Sequence, residues 1–197
     1  MANEPAGAQG SLPEDVRKIL DDLDANDRRF KPLVHGLSEE QFNWRADERS
    51  WSIAQCLDHL NVANRLYLAP MLAGIEAGRR SGATRKGPIR SGFLERLFVG
   101  NLEPPPKWKL PAPRKIVPAL TKSKAEVVEE WRLTQDEART LLHASAGLDL
   151  NGIRFVNPFI PLVRFSVGTG FLVIAAHERR HLWQAEKVKG NPGFPAS

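Results

Sequence analysis

Residues 52–73 read SIAQCLDHLNVANRLYLAPMLA. Ser52 and Gln55 stand at the spacing of a capping box, so a helix begins here and runs to about Ala73. Ile53, Leu57, Leu60, Tyr67 or Leu68, Met71 and Ile75 recur at helical spacing and form one apolar stripe. Cys56, Val62, Ala63 and Leu66 form a second stripe, on the flank that also carries His59. A helix apolar over so wide an arc needs neighbours on two sides, which is the situation inside a helix bundle.

The flanking sequence supplies those neighbours. A first helix is expected over Leu12–His35, opened by Ser11 and Glu14 as a capping box and stopped by Gly36. A short helical turn over Ser38–Asn43 follows it. A third long helix is expected over Lys124–Ala146, with Ser123 and Glu126 as its box and Gly147 at its end. The fourth spans Val167–Lys189, capped by Ser166 and ended by Gly190 and Pro192. Between the second and third long helices, residues 74–122 are rich in proline and glycine and read as a loop, apart from one or two helical turns over Phe93–Val99. Asn151–Arg164 reads as an irregular connection. The fold class is therefore all-α, a four-helix bundle with a long crossover between its second and third helices. Residues 1–10 are expected as a tail and 11–197 as one domain.

The composition agrees with one soluble domain. The chain has 197 residues, 42% hydrophobic and 26% charged. No apolar run approaches the roughly 20 residues that cross a bilayer, and the N-terminus does not read as a signal peptide, so the expected compartment is the cytoplasm. Cys56 is the only cysteine, which rules out an internal disulfide and a cysteine-cluster metal site. Net charge is +5. The basic segment Arg79, Arg80, Arg85, Lys86, Arg90 and Arg96 has no interleaved aromatics suited to base stacking, so nucleic acid is not an expected partner.

The fourth helix contains His177-Glu178-Arg179-Arg180-His181. Residues four apart share a helical face, so the two imidazoles can reach one metal ion. The letters match H-E-x-x-H. The metalloprotease reading fails downstream, where no third ligand follows in the remaining residues and Glu186 is too near on the same helix. A third ligand must come from another helix. His35 and His143 lie at helix ends, where the helix dipole explains them. His59 lies inside the second helix. It is about 10 Å from the start of its helix, and His181 about 12 Å from the end of its own, at 1.5 Å per residue. The two share a height if these helices run antiparallel, and the long crossover permits that by making the second and third helices parallel. A core histidine with one hydrogen bond, or a solvated pair, is the competing reading.

The stretch Trp51-Ser52-Ile53-Ala54-Gln55-Cys56-Leu57-Asp58-His59-Leu60 resembles the second-helix signature of the DinB-like (YfiT-like) superfamily. His177-Glu178-Arg179-Arg180-His181-Leu182-Trp183-Gln184 resembles its fourth-helix signature, H-x-x-R-H-x-x-Q. The resemblance implies a four-helix bundle with the long crossover and a divalent metal, zinc or nickel, on His59, His177 and His181. Relatives include thiol-dependent transferases and a thiol-dependent maleylpyruvate isomerase. It therefore implies a metal-dependent hydrolase or thiol transferase, against the alternative of a non-catalytic bundle with a structural metal or a binding role. The expected partners are a small-molecule substrate, with a low-molecular-weight thiol as one candidate, and a second copy of the chain.

Nearby residues offer further roles. Gln184, seven residues after His177, is placed to orient an imidazole or a bound water, or else is a surface residue. Glu178 is a candidate base, with a salt bridge to Arg179, Arg180 or another helix as the stronger reading. Cys56 is a candidate fourth ligand, with a small buried hydrophobe as the stronger reading. Asp58 points away from His59 and reads as structural. Histidines near their ordinary value of about 6.5 would lose metal below about pH 6.5.

Overall fold

The computed structural model describes residues 11–106, 108, 116–160 and 162–196. The tail expected over residues 1–10 lies outside them, as does most of 107–115. The described elements are α1 (Glu14–Val34), α2 (Glu39–Asn43), α3 (Ile53–Arg80), α4 (Phe93–Leu102), α5 (Lys124–Ser145), β1 (Arg154–Val156), β2 (Arg164–Ser166) and α6 (Val167–Lys189). Among the described residues no helix is long and apolar enough to cross a membrane.

The capping boxes at Ser38/Gln41 and Ser52/Gln55 form with both hydrogen bonds, and Ser166 caps α6 through Thr169 N–H. Two expected boxes do not form. At α1 the helix starts directly after Pro13, whose fixed φ takes the cap position, and Ser11 is left outside. At α5 the Ser123 side chain accepts nothing, and the Glu39 carboxylate from α2 receives the Lys124 N–H at 3.0 Å instead.

Helix α3 also outruns its expected end at Ala73. Gly74 and Gly78 do not break it. They let Ile153 approach, and a Cβ on Gly78 would run into the Ile153 side chain. The 151–164 connection is not wholly irregular either. Arg154, Phe155 and Val156 pair antiparallel with Ser166, Phe165 and Arg164, and the ladder is too short to show a two-residue period.

The four long helices form the bundle. Asn61 and Arg79 of α3 reach Val127 and Ala144 of α5, so these helices are parallel. Asn64 of α3 meets Glu178 of α6, and Met71, lower on α3, meets Gly170, so α3 and α6 are antiparallel. The chain returns between Arg80 and Lys124 along the bundle, and α4 packs on α6 during that return.

Two apolar clusters fill the interior. One gathers Ile19, Leu23, Leu68, Met71, Leu142 and Ile174. The other gathers Phe30, Phe42, Leu57, Trp131 and Leu182. Between them lies a polar layer with one residue from each long helix. Glu178 of α6 is fully buried and accepts hydrogen bonds from Asn26 Nδ2 (2.8 Å), Asn64 Nδ2 (2.8 Å) and Gln135 Nε2 (2.5 Å).

Candidate metal centre

His59 stands in the second turn of α3, and His177 and His181 stand one turn apart on α6. The antiparallel packing brings them together. Their ring centroids are 4.4–5.0 Å apart, and one nitrogen of each lies within 4.8 Å of the others. His59 and His181 are buried; His177 is the most open of the three. His35 and His143 are exposed at helix ends, away from the group.

The orientation of His59 is set by the crossover. Its Nδ1 lies 2.7 Å from the carbonyl oxygen of Ile116. A carbonyl can only accept, so Nδ1 carries the proton and Nε2 presents a lone pair. That Nε2 is 3.2 Å from Nε2 of His177. Lys122 pairs at 3.4 Å with buried Asp58, which fastens the same strand of crossover beside His59 and gives Asp58 its structural role. Trp51 covers the group, stacked on His181 at 5.7 Å and tilted against His59 at 5.0 Å.

Burial holds all three histidines in the neutral form. For His59 desolvation lowers the pKa, only partly offset by the Ile116 bond. His177 and His181 are both held well below the ordinary 6.5 by desolvation first; for His177, His59 and the Arg180 charge add to this, and for His181, His177, His59 and Arg180 do. Neutral imidazole is the form that binds a metal. Two nitrogens bound at about 2.0–2.1 Å to one tetrahedral ion are about 3.3–3.4 Å apart, close to the 3.2 Å observed. His181 Nδ1 is buried with no hydrogen-bond partner among the described residues, a state that buried polar atoms rarely keep. The group fits a divalent ion.

The histidines form part of the lining of a cavity of about 690 Å³. Trp44, Trp51, Tyr67, Phe98, Phe159 and Trp183 supply aromatic wall, and Gln184 and Arg180 also face it. Residues 22–185 match the family model of the DinB superfamily. The chain belongs to the DinB superfamily. No curated protein and no solved structure matches it. In this DinB-superfamily chain the second- and fourth-helix signatures are thus the two sides of one histidine cluster.

The remaining candidates divide. Gln184 is half-buried in the cavity wall beside His181. Glu178 is not among the cavity lining. Nor does it form the expected salt bridge, since three amides occupy its carboxylate while Arg179 pairs with Glu103 and Asp22. Burial pushes the Glu178 carboxyl up to about 7, against the pull of those three amides. Cys56 is buried, lies outside the histidine group, and has its thiol pushed up by desolvation, as expected of a small core residue. Sequence reasoning missed the Ile116 carbonyl, for which a side-chain pattern holds no signal. It also missed Arg180 as a cavity residue, although Arg180 is three residues from His177 and so shares its face.

Proposed function

We propose that this DinB-superfamily protein is a metal-dependent enzyme acting on a small molecule, with His59, His177 and His181 holding a zinc or nickel ion. The observation that carries this reading is the position of the three nitrogens in the wall of a 690 Å³ cavity, with no fourth donor joining the group among the described residues. Structural zinc sites are closed by four protein ligands, whereas catalytic sites keep a position for substrate or water. A divalent ion there would supply Lewis acidity and lower the pKa of a bound water or thiol, which suits hydrolysis or thiol transfer.

The chain's own residues do the rest. Burial keeps the imidazoles unprotonated, the Ile116 carbonyl fixes the His59 ring, and Trp51 shields the group from bulk water. The aromatic walls take an apolar substrate body, and the Gln184 carboxamide orients a group next to His181. A volume of this size matches small-molecule sites.

The test is metal analysis of the purified protein, followed by turnover of the metal-loaded protein on a chromogenic ester and on a chlorodinitrobenzene with low-molecular-weight thiols. Turnover that His177→Ala abolishes supports the enzyme. One equivalent of metal without turnover on either panel supports the non-catalytic bundle.

A further inference from the structure

We propose that the cavity takes a small molecule with a flat, mainly apolar body and a single carboxylate, and that Arg180 seats the carboxylate. This rests on the proposed function for its setting beside a metal, but its observations are separate. The other arginines that α6 and its neighbours bury are paired. Arg179 holds Glu103 and Asp22, Arg139 holds Asp24 and Asp27, and Arg29 holds Glu186. Arg180 is half-buried and lies within ion-pair distance of no carboxylate among the described residues. Among the described residues its one hydrogen bond runs from Nη1 to the Asn101 carbonyl at 3.2 Å. A guanidinium has five N–H donors in a planar fork that matches a carboxylate. A cation drawn partly out of water without a counter-charge is costly, and an anion entering the cavity removes that cost.

The surroundings have one sign. Arg49 and Lys187 also line the cavity, and no Asp or Glu lies among its described lining. Three neutral histidines leave the charge of a bound divalent ion uncompensated, so the cavity is positive with or without metal. Lys187 sits 4.7 Å over the Trp183 ring, placing charge and aromatic surface side by side. Arg180 is the cationic lining residue on the same helical face as His177, and one guanidinium fork matches one carboxylate, whereas a phosphate dianion calls for more donors. The flat body follows from the aromatic walls named above.

The experiment uses the full chain stripped of metal with a chelator, so that binding does not run through the ion. Naphthoate, naphthamide and naphthyl phosphate are titrated with ligand-observed NMR. The first two have the same shape and differ in charge. Naphthoate is expected to bind at least tenfold tighter than naphthamide. Arg180→Met should weaken naphthoate about tenfold and leave naphthamide within twofold, Arg180→Lys should keep part of the preference, and Arg90→Met, outside the cavity, should change neither. Equal binding of naphthoate and naphthamide, a preference that survives Arg180→Met, or tightest binding by naphthyl phosphate would each overturn the assignment. If Arg180→Met does not fold, the wild-type ratio and Arg180→Lys decide it. A protein that binds neither zinc nor nickel yet keeps the naphthoate preference would sink the metal reading and leave this one standing.

Discussion

Nε2 of His59 and Nε2 of His177 face each other across 3.2 Å, from two antiparallel helices whose sequence positions are 118 residues apart. The Ile116 bond leaves His59 with only a lone pair on that side. The gap therefore holds either the His177 proton or a cation.

A cation in that gap ties α3 to α6, so it binds the folded chain far better than the unfolded one. Free zinc at a hundred times its Kd should stabilise the fold by about 2.7 kcal/mol. For a chain of this length that raises Tm by roughly 5–10 °C. Differential scanning fluorimetry should show the rise in the wild type and lose it in His59→Ala.

The pH dependence differs from the sequence-based expectation of weakening below about pH 6.5. Burial lowers the folded pKa of all three histidines below that value. The metal-free protein then holds them neutral at pH 7 and at 6.5, and protons compete with metal only further down. Calorimetry in buffers of different ionisation enthalpy should find little proton release on zinc binding at pH 7. The unfolded chain does take up protons below 6.5, so the metal-free fold should lose stability as pH falls from 6.5 through the lower folded values. Release of about a quarter of a proton or more per histidine at pH 7, the amount that imidazoles titrating at their ordinary 6.5 would give, would contradict the buried, neutral cluster.

Glu178 acts in the opposite sense. Its carboxyl titrates near 7 in the fold against an ordinary 4.5, so it favours the folded chain below 4.5, and that contribution is lost as pH rises through 7. Glu178→Gln removes the titration. In metal-free protein, its stability relative to wild type should improve by roughly 2 kcal/mol between pH 5 and pH 8.5. Glu178→Leu should cost at least about 3 kcal/mol throughout, because Asn26, Asn64 and Gln135 would each lose a buried partner. Urea melts at the two pH values measure both.

Two glycines test how α3 is seated. Gly78→Ala should destabilise by about 1–3 kcal/mol, since the new methyl meets Ile153. Gly100→Ala, in α4 with open space around it, should gain up to about 1 kcal/mol from helix propensity alone. Thermal melts of the two variants should move in opposite directions.

Much of this was legible in residue spacing. The double stripe around His59 announces a helix with neighbours on two sides, and matching heights for His59 and His181 require the parallel α3–α5 arrangement that the bundle adopts. The polar layer also had a signal: Asn26 interrupts the stripe between Leu23 and Phe30, just as Glu178 interrupts the apolar run of α6. The α1 and α5 caps were misread because Pro13 and Glu39 compete with the local boxes, and in the second case the competitor comes from another helix. The short strands β1 and β2 fall below the length at which period two is visible. The Ile116 carbonyl belongs to the backbone of a crossover, which no side-chain pattern positions.

One divalent ion on His59, His177 and His181, with a coordination position open to the cavity, is what the proposed function requires. Titration of metal-free protein with cobalt, followed in the visible spectrum, tests it most directly. One equivalent should bind, with a spectrum that shifts on adding a small thiol or imidazole. His59→Ala, His177→Ala and His181→Ala should each lower the affinity by tenfold or more, while His35→Ala and His143→Ala should leave it unchanged. Equal effects across the five variants, or a spectrum that no added ligand perturbs, would contradict an open three-histidine centre.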